Sequence, residues 1–282
     1  MKILLVGASG FIGSSVKKLL DISAHKVTST SRSVRPGFVK FDAKDKDKSL
    51  SILKEISPDV VVNFAWNTIG EGYLDSSQNL NSLEWNSSLF NIISECSIRK
   101  FISLGSAAEY APRPVLTGQN QLSPIGDSPY ASTKIEALRL FLEIDKSAVP
   151  YLIWARVFQA YGPGQSHQRL IPTILNHVKN QQVFRLNYPN LNLDWIHVMD
   201  IASSIVYLIE KDSPTQVDIG TGSPTSNQEL CSLFSKHFGL KYEFATSCNL
   251  QTSYRVAEPN SFLAQKCPPK FDLESYICSL RK

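Results

Sequence analysis

Tyr130 and Lys134 stand four residues apart in "SPYASTK", residues 128–134. On a helix this spacing puts both side chains on one face, one turn apart. An ammonium beside a phenol favours the phenolate, so the pair is expected to lower a tyrosine pKa that is about 10 in free peptides. A phenol tuned in this way gives and takes protons near neutral pH. The other reading is an accidental pair on a surface helix. Ser106 lies upstream in "SLGSAAEY", residues 103–110, just past the apolar run "KFISL". At the carboxyl end of a parallel strand its hydroxyl would face the ligand crevice and hold a substrate oxygen; otherwise it is a turn residue.

These residues need a scaffold, and the chain alternates two textures. "KILLV", "KVTST", "VVVNFA", "KFISL" and "PYLIWAR" are short apolar runs that read as buried parallel strands. "FIGSSVKKLL", "DKSLSILKEI", "NLNSLEWNSSLFNIISECS" and "YASTKIEALRLFLEID" between them read as helices. Alternation of this kind predicts an α/β fold, a Rossmann-type doubly wound parallel sheet. After about residue 160 the chain becomes turn-rich at "YGPGQSHQ" and extended at "FRLNYPNLNLDWIHV", then offers a helix near 200–210 and a strand at "QVDIG". The last sixty residues show short mixed elements with little period. The expected division is a dinucleotide-binding domain over 1–160 with a returning segment at about 199–220, and a small C-terminal substrate lobe from 161–198 and 221–282.

"GASGFIG" (Gly7, Ser9, Gly10, Phe11, Ile12 and Gly13 among its residues) directly follows the first strand and opens a helix. Its glycines permit a tight turn and close approach of backbone to a pyrophosphate, while the helix N-terminus supplies N–H groups. Taken with the strand and helix around it, this predicts a bound dinucleotide. An acidic residue near the end of the second strand would select NAD through its ribose hydroxyls; here Thr30, Ser31, Arg32 and Ser33 stand there, with Arg35 close by. Ser31 and Arg32 suit a 2′-phosphate, so NADP(H) is favoured, with NAD(H) the alternative if Arg32 is merely a solvated arginine.

At 282 residues and 43 % hydrophobic, the chain can bury a large core and form a cleft between two lobes. The net charge of +4 is modest and its cations are scattered, which argues against nucleic-acid binding. Cys96, Cys231, Cys248, Cys267 and Cys278 are odd in number and widely spaced, indicating neither a disulfide framework nor a zinc site. The five histidines show no ligand spacing, so no metal is expected, and His197 on its apolar strand reads as structural. No stretch approaches a membrane span, and the expected location is cytoplasmic.

The chain resembles the extended short-chain dehydrogenase/reductases, the NAD-dependent epimerase/dehydratase family that modifies nucleotide-linked sugars. The resemblance rests on "GASGFIG", "KFDAKD", "NFAW", "SLGSAAEYA", "PYASTK", "RVFQAYGPGQ" and "DWIHVMDIA", in that order over essentially the whole sequence. It implies that Tyr130 is the acid/base, that Lys134 binds the nicotinamide ribose, and that Ser106 steadies the reacting oxygen. It also implies that Asp42 contacts adenine, that Ala65 lines the cofactor site, and that Ser106, Ala107, Gln159, Arg169 and Arg255 touch substrate. Trp66 would border the nicotinamide pocket or serve as a core aromatic.

Departures from the family pattern narrow the reaction. Dehydratases of this kind carry an Asp-Glu pair where Ala107 and Ala108 stand, and relatives that epimerise C3 or C5 carry a cysteine in the loop, which is absent here. Bare hydride transfer remains: an NADPH-dependent reductase of a 4-keto, 6-deoxy nucleotide sugar, with a 4-epimerase holding NAD tightly as the alternative. A non-catalytic NADP(H) sensor or scaffold is a further alternative, against which the retained Tyr130 and Lys134 argue. Leu193 replaces a diphosphate-binding arginine, leaving room for a substrate that is not a nucleotide sugar. Two long helices near 76–97 and 129–146 resemble those through which the family forms a four-helix homodimer interface, with Leu138, Leu140, Phe141 and Ile144 as candidates for burial there.

Overall fold

The computed structural model describes every residue except 69, 71, 117–119, 124, 260 and 282. The strands run β1 Lys2–Val6, β2 Lys26–Ser31, β3 Val39–Lys40, β4 Val60–Asn63, β5 Lys100–Ser106, β6 Tyr151–Val157, β7 Gln159–Tyr161, β8 Phe184–Leu186, β9 Leu191–His197, β10 Gln216–Ile219, β11 Pro224–Ser226, β12 Tyr242–Phe244 and β13 Ser253–Arg255. The helices are α1 Phe11–Leu20, α2 Lys46–Ile56, α3 Gln78–Ser94, α4 Pro129–Leu142, α5 Leu170–Lys179, α6 Val198–Glu210, α7 Asn227–Phe238, α8 Phe262–Lys266 and α9 Leu273–Ser279. Seven strands form one parallel sheet in the order β10-β6-β5-β4-β1-β2-β3, the Rossmann-type architecture expected.

The central strands β1 and β4 are almost wholly apolar because both sheet faces are covered, whereas β2, read as an apolar run, is KVTSTS with buried Ser29, Thr30 and Ser31; the pleat divides the apolar side chains between two cores. Ile3, Leu5, Val60, Val62 and Ile102 point to the layer that holds α1 and α6. Leu4, Val6, Val61 and Phe101 point to the layer of α2, α3 and α4. A buried side chain of this size contributes about 1.5–3 kcal/mol. Leu138, Phe141 and Ile144 are buried in the second core, and Leu140 packs against it, so packing within the chain covers the residues singled out for an interface.

Chain order reverses between β1 and β4, so their carboxyl ends open a crevice lined by Gly7, with Asn63 buried at the end of β4 and Ser106 at the end of the neighbouring β5. Beyond the sheet, β11, β9 and β13 pair side by side, with β7 on β9. The extended 184–198 stretch is two strands in separate sheets, broken at 187–190. The tail also carries more helix than its weak periodicity suggested. In α7, Ser226 and Glu229 form a capping box and Gly239 closes the helix in the left-handed conformation. The "SNQE" and "HFG" signals for these caps were present in the sequence.

Candidate active site

Gly7 has φ +77°, and a Cβ on it would lie 3.0 Å from the Ala65 nitrogen. A Cβ on Gly13 would press to 2.8 Å from Ala8 Cα. Glycine is therefore what lets the turn close against β4 and lets α1 pack on it. Gly10, the N-cap of α1, supplies no side-chain cap, so N–H groups of the first turn stay available to an anion. A cleft of about 830 Å³ opens beside this turn, lined by Gly7, Ser9, Gly10, Ser31, Arg32, Asp42 and Ala65 among others. Phe11, Ile12 and Gly13 do not line it; they contribute backbone and packing. The cradle suits a dinucleotide by shape and by its uncapped helix end.

Arg32 is exposed at the cleft and forms no ion pair among the described residues. Asp42 is oriented by the Trp85 indole, which donates to Oδ1 at 2.8 Å, and by the Lys44 backbone N–H at 3.1 Å. The floor at Ala65 rests on polar residues that sequence reasoning did not single out. Asn63 Oδ1 accepts from Ala65 N at 3.0 Å, Asn63 Nδ2 donates to Asn86 and Ser103, and Asn86 Nδ2 donates to the Ala65 carbonyl. A polar Asn63 closing a run of valines was the available signal.

Helix α4 begins with Ser128 as N-cap, its Oγ accepting from Ala131 N, and Pro129 in the first turn. The Tyr130 N–H donates to the Leu74 carbonyl at 2.9 Å, anchoring the helix start to the loop before α3. Ser106 lies near enough to the Tyr130 phenol to act on its ionisation, while its Oγ accepts from Ala108 N at 3.2 Å. The phenol is 8 % exposed, with the rings of Tyr73 and Trp66 set edgewise at 5.3 and 6.2 Å.

The expected lowering of the Tyr130 pKa is not what the structure shows. Burial pushes it up, Tyr73 adds to this, and Ser106 only partly opposes it. Lys134 is turned elsewhere: its Nζ donates to the Leu104 carbonyl at 2.8 Å and sits 3.8 Å from the Trp66 ring centroid. Burial pulls Lys134 down to about 7, against an opposing pull from Glu109. Trp66 thus stands between the cleft, which it lines, and the Lys134 ammonium, with its indole N–H donating to Asn79 Oδ1.

The proposed substrate residues are less gathered. Arg169 stacks its guanidinium 4.0 Å from the Tyr73 ring centroid, two rings from Tyr130. Arg255 pairs with Asp127 at 2.5 Å. Gln159 is half-buried in β7, opposite Trp195. Ala107 is buried in a single 3-10 turn, residues 107–109, that follows β5. His197 accepts from Met199 N and stacks on Phe271 at 4.2 Å, a packed residue as anticipated.

The sequence profile described as "NAD dependent epimerase/dehydratase family" matches residues 3–220. The chain belongs to that family. Among curated relatives, CDP-abequose synthase of Yersinia pseudotuberculosis is 26 % identical over 76 % of this chain and 75 % of its own. GDP-L-colitose synthase of the same organism is 23 % identical over 86 % and 84 %. UDP-glucose 4-epimerase of Neisseria meningitidis serogroup C is 25 % identical over 85 % and 83 %. In fold, the NAD-dependent NDP-hexosamine 5,6-dehydratase TunA matches at TM-score 0.83 with 18 % identity, covering 99 % of this chain and 96 % of that one. The UDP-glucose 4-epimerase of Thermus thermophilus, complexed with NAD, matches at TM-score 0.80 with 19 % identity, covering 99 % and 97 %.

Proposed function

We propose that this family member is an NADPH-dependent reductase of a 4-keto, 6-deoxy nucleotide sugar. The observation that carries the reading is the placement of Ser106 at the carboxyl end of β5 near the buried Tyr130 phenol, with alanine at both 107 and 108. These two hydroxyls would donate to a carbonyl oxygen, and positions 107 and 108 carry no acid or base with which to remove a second proton or expel a hydroxyl. Gly7, Ser9 and Gly10 would hold the pyrophosphate of the cofactor, Asp42 its adenosine end, and Ser31 and Arg32 its 2′-phosphate. Bound NADPH supplies the hydride.

The chain's own residues manage the oxygen. Tyr130, kept protonated by burial, donates its proton to the carbonyl oxygen as that oxygen gains charge, and the Ser106 hydroxyl holds the same oxygen. Lys134, as an ammonium behind Trp66, gives the site a positive charge. Residues 161–198 and 221–282 serve as the substrate lobe, with Arg169 reaching toward the diphosphate. Pairing of two chains through α3 and α4 belongs to this reading. The synthases of CDP-abequose and GDP-L-colitose among the relatives support a nucleotide sugar as substrate.

The test is NADPH oxidation against 4-keto-6-deoxy sugars linked to dTDP, GDP, CDP and UDP. Turnover with one of them is the expected result. A second reading, a 4-epimerase with tightly held NAD, is favoured by the UDP-glucose 4-epimerases among the relatives. Interconversion of a UDP-hexose epimer pair without net consumption of reduced cofactor would establish it and overturn the first.

A further inference from the structure

Glu109 is fully buried, and the reading above gives it no task. Its Oε1 accepts from Ser106 N at 2.7 Å, and its Oε2 accepts from Arg156 Nε at 2.6 Å. The Trp154 indole N–H lies 3.1 and 3.0 Å from the two oxygens. All three partners can only donate, so a proton on the carboxyl would meet no acceptor among them, and the carboxylate is the form that fits. Burial pushes the carboxyl up, while Arg156 and the Ser106 N–H oppose it. Arg156 is held in turn by Gln216 at 2.6 Å and Tyr110 at 3.3 Å.

The placement of this carboxylate ties it to the candidate catalytic residues. Lys134 grips the end of β5 at the Leu104 carbonyl, and Glu109 grips it two residues on at the Ser106 N–H. A Cβ on Gly105 between them would fall 2.7 Å from Glu109 Oε1. Ser106 is also the N-cap of the 3-10 turn that Glu109 closes, in a reciprocal capping box. The three residues Leu104–Ser106 are therefore held by a cation at the first and an anion at the last. Trp154 borders both, its ring centroid 5.9 Å from Lys134 Nζ.

We infer that Glu109 is a positioning residue for the reaction: clamped by Arg156 and Trp154, its carboxylate fixes Ser106 against Tyr130 and supplies the negative charge that Lys134 faces. The charged and titratable groups around Lys134 are Glu109 on the 3-10 turn, Tyr130 on its own helix and Arg156 on β6 behind Glu109; Trp66 and Trp154 contribute rings. This inference rests on the reductase reading for its kinetic consequence but not for its electrostatic one.

The test combines two variants with two readouts, turnover and an NMR titration of the Lys134 side chain in protein labelled at lysine Cε. Glu109→Gln keeps the shape and removes the charge. It is expected to move the Lys134 titration down from about 7 by about one unit and to drag the alkaline limb of the kcat/KM profile with it. Glu109→Asp keeps the charge but withdraws from Ser106, so the titration stays in place while kcat falls about tenfold or more. It also serves if the Gln variant does not fold, since Arg156 keeps a partner. An unmoved Lys134 titration in Glu109→Gln, or wild-type kcat in Glu109→Asp, overturns the inference. Wild-type protein that turns over no keto sugar, with the titration shifted as described, defeats the reductase reading and leaves the electrostatic role of Glu109 standing.

Discussion

Lys134 sits between the Leu104 carbonyl and the Trp66 ring, a buried position that satisfies one donor directly, sets the ammonium among the Trp66 and Trp154 rings and leaves Glu109 as its opposing charge. Its folded pKa, lowered to about 7, makes it the group whose charge changes in the working range. Tyr130, raised by burial, remains protonated there. With the ammonium as the active form, kcat/KM should fall on the alkaline side, through an apparent pKa near 7 in the free enzyme, as measured over a pH series at limiting substrate. Tyr130→Phe should lower kcat by about 10²–10⁴-fold while cofactor affinity, followed by fluorescence titration, stays within about twofold. Arg32→Ala should weaken NADPH by about tenfold or more, the value of one charge-assisted hydrogen bond, and leave NADH unchanged. Equal losses for both cofactors would remove the 2′-phosphate role.

Single elements carry two further devices. Lys100, wholly buried at the start of β5, donates to the carbonyls of Leu208, Ile209 and Lys211 at 2.7, 3.3 and 2.5 Å. A cation thus caps the C-terminal end of α6 from within the sheet, satisfying carbonyls that a helix end otherwise leaves unpaired. Lys100→Met should cost about 2–4 kcal/mol, read as a lower urea midpoint at unchanged slope. At the other end of the sheet Trp66 screens Lys134 from the cleft. Trp66→Ala should hydrate the ammonium and raise the alkaline limb, a shift opposite in sign to that of Glu109→Gln.

At the scale of the molecule, Asp194 joins the small sheet of β9 to the end of the main one. Its buried carboxylate accepts from the backbone of Thr221, Gly222 and Ala257 and from the Thr221 hydroxyl, at 2.6–3.1 Å. Asp194→Ala orphans these donors at once, and a loss of about 3 kcal/mol in global stability is expected in chemical denaturation. Trp195 and His197, which follow on the same strand, add packing. Among the described residues no helix is long and apolar enough to cross a membrane.

Periodicity and punctuation determined much of this architecture without tertiary help. Apolar runs such as "VVV" at 60–62 read as strands covered on both faces, and the left-handed φ of +77° at Gly7 asks for glycine, because both signals are local; the close approach of Ala65 to Gly7 was decided by the fold. Tyr130 and Lys134 were found because one helix turn fixes their spacing. Whether they share a field was decided elsewhere: the Leu104 carbonyl and the Trp66 ring, thirty and sixty-eight positions away, draw the ammonium off and leave the phenol raised. Glu109, Arg156 and Trp154 were equally hidden, since a buried charge is recognisable only by the partners that make its burial tolerable, and those lie on β6, 45 and 47 positions away. Local pattern dictated which residues could do chemistry; packing set their protonation, because desolvation and charge depend on neighbours that the chain brings from afar.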